Sequence, residues 1–437
     1  MRIYYFLIFF SALHLLAYPA VNAAASHYSD NGIGVILTND KGTILYEKNI
    51  DRYFIPASTL KILTSLEAFH FLGENFHFHT DFYMDKQNNL KIKGWGDPFL
   101  TSEAIKSLCS DLGAFLKQKN IKRIYSIIID NTFFAYDINI PGAGNSSNPY
   151  DAPVGALCAN FNTVFFTYDK STNRFISAEP QTPLLPFVER QVKASGLKKG
   201  RIILSCRESR FYAPLLIKYF LKLQGIHFIN NTSAVSECQT IGISFGNIQK
   251  NDKKILVWVS PYSLKEIIQK LLRYSSNFIA NQIFLHIGAK KISPPATIKK
   301  GVHVLKDYAE NTLEIKKIKI DEGSGLSRNN KITPRGMVKL LFDFMPYHDL
   351  MKRKSYIRRV KFQRLKNSAV TSAVTIEEFY KTGTLKNVRT RAGYFKLNNR
   401  LYPYVIMVNQ KKNGYREIKK KLQKIAVEHS QFFYKRP

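Results

Sequence analysis

Residues 54–73 read FIPASTLKILTSLEAFHFLG, a Ser-x-x-Lys pair, Ser58 and Lys61, that runs into an apolar segment. Pro56 is a start signal, and Ile62, Leu63, Leu66, Phe69 and Leu72 recur at helical spacing. The stretch therefore predicts a buried helix beginning near Ser58. At a helix start, free backbone N–H groups and the dipole favour a developing alkoxide on the serine. Lys61, one turn on, shares its face; among apolar neighbours it loses solvation, which lowers its pKa and suits it to act as a base. The same residues also fit a plain core helix that starts with a serine, and the stretch alone leaves both readings open. A second match, Ser195 to Lys198 in KASGLKKG, has no helix behind it.

Upstream, IGVILTNDKGTILYEK at 33–48 reads as two strands around an Asn-Asp-Lys-Gly turn. After Gly73 the texture becomes short strands and polar turns, as in HFHTDFYM, NLKIKGWGD and RIYSIIIDN, and persists to about residue 255. Helical patterns return in SLKEIIQKLLRYSSNFIANQIFLHIGA. EEFYKTGTL, VRTRAGYFKL and YPYVIMVNQ are three successive strand signals, and YREIKKKLQKIAVEH closes as an amphipathic helix, expected to cover a sheet rather than lie on a membrane. The pattern predicts an α/β domain in two pieces, residues 24–74 and 255–437. A β-rich insertion over 75–254 separates them, as one subdomain or as two near 75–165 and 166–254.

A chain of 437 residues with 45% hydrophobic content is long enough for more than one core and is not generally disordered. Met1-Arg2, the apolar run Ile3 to Tyr18 and the small residues Ala20 to Ala23 have the regions of a secretory signal, with cleavage expected after Ala23. Retention of that segment as an anchor is the alternative. The net charge of +33 would suggest nucleic acid, and Lys352 to Lys366 holds eight basic residues and no acidic one. Export argues against that partner. Anionic lipid headgroups or an acidic wall polymer fit an exported basic protein better, and a merely solvated basic face is the other account of this run. Cys109, Cys158, Cys206 and Cys238 are disulfide candidates in an oxidising compartment, all inside the insertion, and lack C-x-x-C spacing.

Two more patterns carry chemistry. Ser275-Ser276-Asn277 lies between two helical runs, where short polar side chains can be held toward a cleft. Ser146 to Asn148 and Ser327 to Asn329 match it only in loops. Lys381-Thr382-Gly383, followed by Thr384, occurs once, in a strand signal; it offers a cation and hydroxyls to a carboxylate, and Gly383 allows close backbone approach. His77 and His79 alternate on a strand without further ligands, so no metal is expected. No phosphate-binding glycine loop appears, and Gly323-Ser324-Gly325 reads as a turn rather than a nucleophile elbow.

The order S-x-x-K, S-x-N, K-T-G marks penicillin-binding proteins and class A β-lactamases. With LYEKNIDRYFIPASTLKILTSLEAFHFLG, GWGDPFL, YDAPVGALCANFNTV, DEGSGLSRNN and YKTGTLKNVRTRAGYF in order, the chain resembles the class C low-molecular-mass penicillin-binding proteins, D-alanyl-D-alanine carboxypeptidases and endopeptidases of the cell envelope. The wide gap between Ser58 and Ser275 resembles that family more than the β-lactamases. The resemblance implies a transpeptidase-like fold, an antiparallel sheet flanked by helices. It also implies Ser58 as nucleophile, Lys61 as base, Ser275 as proton relay and Asn277 as orienting group. Backbone N–H groups of Ser58 and Thr384 would form the oxyanion hole, and Lys381, Thr382, Gly383 and Thr384 would bind the substrate carboxylate. No cofactor is implied; the partners are peptidoglycan stems and β-lactams. Ser276 stands where aspartate is common, and Arg391 where a small or apolar residue is usual, which bears on substrate preference. A serine β-lactamase-like hydrolase and a catalytically silent wall-binding protein are the alternatives.

Overall fold

The computed structural model describes residues 30–144, 148–229, 242–363, 369–411 and 414–432. The expected signal over 1–23, Cys238 and the loop match at Ser146-Ser147 lie outside them. Among the described residues no helix is long and apolar enough to cross a membrane.

The fully buried run IGVILT forms β1 (Ile33–Thr38), and β2 (Ile44–Lys48) follows. In the turn between them Asn39 Oδ1 accepts from the N–H groups of Lys41 and Thr43 at 3.0 and 2.9 Å. Four strands from the other end of the chain complete the sheet: β3 (Lys352–Gln363), β4 (Ala369–Leu385), β5 (Val388–Leu397) and β6 (Arg400–Val408). The six are antiparallel in the order β3-β4-β5-β6-β1-β2, and β1 pairs with β6 with Ile33 opposite Val408. Alternation along β1 and β6 explains a layer on each face. Ile36, Val405 and Met407 point to one hydrophobic cluster, whereas Val35, Leu37, Tyr404 and Ile406 point to another.

The first cluster holds α1 (Lys61–Leu72), α2 (Leu264–Tyr274), α3 (Asn277–Lys291) and α4 (Pro334–Phe344). Helix α3 is buried from Asn277 to Ala289, as a helix apolar all round must be. The second cluster is closed by α5 (Tyr415–Phe432) through Leu422, Ala426 and Val427, so the terminal amphipathic helix covers the sheet.

Residues 75–254 contain the expected strands and also helices at Ser102–Gln118, Pro186–Ala194 and Cys206–Leu223, which corrects the β-rich reading. In the first of these Ile105, Leu108, Leu112 and Leu116 keep helical spacing and Thr101 caps the start, a pattern masked by the charged residues between them. One hydrophobic cluster joins Leu108 to Leu216, and the suggested division near 165 falls inside the strand Thr163–Asp169. The disulfide expectation is also corrected. Cys109, Cys158 and Cys206 are free thiols, the first two buried in apolar packing, and burial raises the Cys158 thiol to about 12. Phe133, Phe134, Ala152 and Ala156 do not belong to the cluster of Leu108 and Leu216 and instead join the one around α3.

Candidate active site

Ser58 lies in a 3-10 turn, Ala57–Leu60, that feeds directly into α1, and Lys61 is the first residue of that helix. The turn is wedged from two sides. Thr390 of β5 donates to the Pro56 carbonyl at 2.7 Å. Gly325, at φ +81°, comes so close that a Cβ there would stand 1.9 Å from the Ala57 carbonyl oxygen. Ala57 itself has φ 47°, a left-handed conformation that a non-glycine residue holds only when its surroundings enforce it.

Lys61 is fully buried, and its ammonium nitrogen makes three contacts: Ser58 Oγ at 3.0 Å, Asn277 Oδ1 at 2.7 Å and the Ser324 carbonyl at 2.7 Å. Loss of solvation brings its pKa down to about 7, against the opposing pull of the Glu322 carboxylate. Ser275 ends α2 in a left-handed conformation, φ 60° and ψ 36°, and Ser276 caps α3 by accepting from the Ile279 N–H at 3.2 Å. Serine and aspartate cap helices alike, which accounts for Ser276 in place of aspartate. The break between the helices turns Ser275 toward Lys381, whose Nζ donates to Ser275 Oγ and to the Thr382 carbonyl, each at 2.7 Å. Lys381 is pushed well below the usual lysine range, first by burial and then by the positive charges of Lys61 and Lys352.

Strand β4 brings the third pattern against the first. A Cβ on Gly383 would lie 2.8 Å from the Ser58 nitrogen and 2.4 Å from Thr390 Oγ1, so only glycine fits. Thr382 is half-buried and Thr384 exposed, on the strand that flanks Ser58. The site residues expected from sequence thus meet as two hydrogen-bonded groups, Ser58–Lys61–Asn277 and Ser275–Lys381, with Gly383 beside the Ser58 backbone. Ser195, the decoy, ends its helix and donates to the Val192 carbonyl at 2.7 Å.

The loop 321–330 supplies groups that sequence reasoning passed over as a turn. Its Ser324 carbonyl holds Lys61. Glu322, wholly buried, accepts from the N–H of Ser324 at 2.6 Å and from Asn330 Nδ2 at 2.7 Å. Thr64 and Asn281 hold Gly323 from α1 and α3 at 2.6 and 3.0 Å. Tyr150 was missed as well; its carbonyl faces Asn277 Nδ2 at 3.5 Å. The block DEGSGLSRNN was visible as a motif, but nothing in it announces a carbonyl as a lysine acceptor.

Arg391 corrects another expectation. Its side chain lies on the α5 face of the sheet, ion-paired with buried Glu378 at 2.9 Å, donating to Tyr415 at 3.0 Å and stacked 3.6 Å above Tyr380. Lys419 of α5 and Tyr356 of β3 donate to the carboxylate at 2.8 and 2.6 Å, and Tyr404 of β6 completes its shell. The residue that replaces a small one therefore anchors the sheet to α5. Among the described residues no group of three His, Cys, Asp or Glu could hold a metal ion. His77 Nδ1 is instead 2.7 Å from the Ser260 carbonyl.

Residues 20–352 match the D-Ala-D-Ala carboxypeptidase 3 (S13) family. The chain is 23% identical over 341 residues to the D-alanyl-D-alanine carboxypeptidase DacB of Haemophilus influenzae, covering 71% of this chain and 70% of that one. It is 24% identical over 365 residues to the penicillin-sensitive carboxypeptidase A of Dictyostelium discoideum, covering 70% of this chain and 66% of that one. The crystal structure of penicillin binding protein 4 (dacB) from Haemophilus influenzae superposes with a TM-score of 0.65 at 20% identity, covering 87% of this chain and 91% of that one. This likeness shows the shared fold. The strand that carries Lys381 lies beyond the matched residues, and its place beside Ser58 rests on the geometry above. A match over most of the chain, on this fold, means that the protein belongs to the D-Ala-D-Ala carboxypeptidase 3 (S13) family.

Proposed function

We propose that the chain is a serine hydrolase that cleaves the terminal D-Ala-D-Ala bond of peptidoglycan stems, and the D-Ala cross-link between stems, through an acyl-enzyme on Ser58. The observation that carries this reading is the buried Lys61 ammonium nitrogen, 3.0 Å from Ser58 Oγ and held by two further acceptors. With its pKa near 7, a large share of Lys61 is neutral at neutral pH and accepts the serine proton as Oγ attacks the carbonyl carbon. The backbone N–H groups of Ser58 and Thr384 receive the oxyanion. Ser275 passes a proton to the departing amine, and Asn277 keeps Lys61 and the substrate peptide in line. Thr382, Thr384 and Lys381 take the substrate carboxylate, whose negative charge favours protonation of Lys381 on binding. Water then releases the shortened stem. A β-lactam acylates the same oxygen, but its leaving group stays tethered. The domain organisation that fits this chemistry is a catalytic unit of residues 24–74 and 255–437, with 75–254 inserted.

A peptide ending in D-Ala-D-Ala tests the reading. Purified protein is expected to release one D-alanine per peptide, and prior treatment with benzylpenicillin is expected to stop it. Folded protein that neither releases D-alanine nor splits a cross-linked muropeptide dimer would refute the proposal.

The reading extends to export into the periplasm or envelope by the expected signal and to attraction toward an anionic surface. Basic residues from Lys352 line the edge strand β3; the side chains from Arg359 onward lie outside the described ones. Exposed charges act over a Debye length of about 8 Å at physiological ionic strength. Binding to anionic vesicles or isolated peptidoglycan should weaken steeply with salt, and neutralising Arg358, Arg359 and Lys361 together should weaken it at low salt while sparing small-peptide turnover. Loss of turnover in folded triple variant would place these charges in the active site instead.

A further inference from the structure

The inserted region has a parallel core. Leu90–Gly94 runs parallel to Ile127–Asp130, and that strand runs parallel to Ile243–Phe245. In open sheets of this kind ligands bind outside the carboxyl ends of the strands, where the following loops diverge. Just there, beyond Asp130 and Phe245, lies a cavity of about 450 Å³. That size is typical of small-molecule sites.

Its lining is chemically mixed. Phe134, Tyr136 and Phe245 supply aromatic surface, with Tyr136 76% and Phe245 44% exposed. Asn131 and Asn247 add two side-chain amides, and Asn131 Oδ1 is buried without a hydrogen-bond partner among the described residues. Arg210 supplies the charge. Its Nη2 donates to the Tyr136 carbonyl at 2.9 Å and to Asp137 Oδ1 at 2.6 Å, and the guanidinium lies 3.6 Å from the centre of the Tyr136 ring. Both bonds use Nη2. Among the described residues Nε and Nη1 have no hydrogen-bond partner, on a head group held by stacking and by Asp137, an arrangement that leaves one edge of the fork for a carboxylate.

The cavity also leads toward Asn277. Val154 lines it and lines a smaller cleft of about 220 Å³ that reaches Tyr150, Asn277 and Asn281. Gly155 is tied through both its N–H and its carbonyl to Gln282 of α3, the helix that starts with Asn277. A chain occupying both spaces would follow one wall, the segment 150–156.

We propose that this cavity binds the glycan-proximal part of the stem, an N-acetylated sugar with an attached carboxylate-bearing peptide, while the scissile end lies at Ser58. Aromatic faces meet the sugar ring, the asparagine amides meet the acetamido group, and Arg210 meets the carboxylate. The inference rests on the reading of the substrate as peptidoglycan.

The test is calorimetric titration of protein already acylated with benzylpenicillin, using N-acetylmuramoyl-L-alanyl-D-glutamine as the probe, whose α-carboxylate is free and whose γ-amide stands for the link to the third residue of the stem. Saturable binding is expected, and Arg210→Ala should weaken it about tenfold, the scale of one charge-assisted hydrogen bond. N-acetylglucosamine, without a carboxylate, should bind more weakly and ignore the Arg210 change. Circular dichroism melting reports whether Arg210→Ala folds; if it does not, Asn247→Leu, at an exposed position, takes its place with the same expected direction. No saturable binding, equal affinity in parent and variant, or binding lost on acylation would overturn the proposal. Failure of benzylpenicillin to acylate would count against Ser58 alone, and the Arg210 comparison on unmodified protein would then decide the cavity.

Discussion

Mass spectrometry of penicillin-treated protein is expected to place a single adduct on the peptide containing Ser58, and Ser58→Ala to abolish it. The effect is all or none because the acyl bond needs the serine oxygen. Ser58 Oγ is hydrogen-bonded to Lys61 at 3.0 Å, and its backbone nitrogen lies beside Gly383. Ser195, the other serine with a lysine three residues on, has its hydroxyl engaged by the Val192 carbonyl at the end of a helix. Loss of one hydroxyl from a turn held by Thr390 and Gly325 leaves the packing of α1 intact, so Ser58→Ala should melt like the parent. An adduct at Ser195, or an undiminished adduct in Ser58→Ala, would refute the assignment.

The second large effect concerns Lys61. If it is the base, acylation rises with pH as Lys61 loses its proton, with an inflection near its pKa of about 7 and a plateau above. Lys61→Met should lower the acylation rate by about 10²- to 10⁴-fold, the usual worth of a positioned base, and remove that inflection. Stability should move with it. The folded-state pKa lies below the ordinary 10.5, so between about 7 and 10.5 the unfolded chain binds more protons and stability rises with pH. Below that window the penalty for burying the ammonium is fully present. Lys61→Met removes Lys61's share of this slope and should gain most in stability at the acid end, leaving the like-signed share of Lys381. A rate flat from about pH 5.5 to 8.5 in the parent would rule out Lys61 as the base.

Strand β3 shows where sequence reading fell short. KRKSYIRRVKFQ reads as a charged surface, yet it is the outer strand of the central sheet, paired along its length with β4 from Lys352 opposite Tyr380 to Gln363 opposite Ala369. Edge strands carry lysine and arginine because their outer backbone groups face solvent and other chains. Charge there hides the strand pattern. The cysteines misled for a different reason: compartment suggests disulfides, but pairing needs two thiols brought to bonding distance, which spacing along the chain does not report.

Local order was legible because local rules produce it. The helix after Ser58, the break at Ser275-Ser276, the three strands around Lys381 and the amphipathic α5 each follow from periodicity and capping over a few residues. The pairing of Ser58 with Lys61 needs only one helical turn. Everything that makes Lys61 unusual comes from far along the chain. Asn277 and Ser324 meet it, and the charge of Glu322 acts on it, because α1 and α3 pack in one cluster on the same face of the sheet. The direction of Arg391 likewise depended on which face of β5 meets α5. Sequence alone determined which side chains stand at helix starts, breaks and strands. The tertiary structure decided which of them lose water and meet, because desolvation and long-range hydrogen bonding are properties of packing between segments hundreds of residues apart.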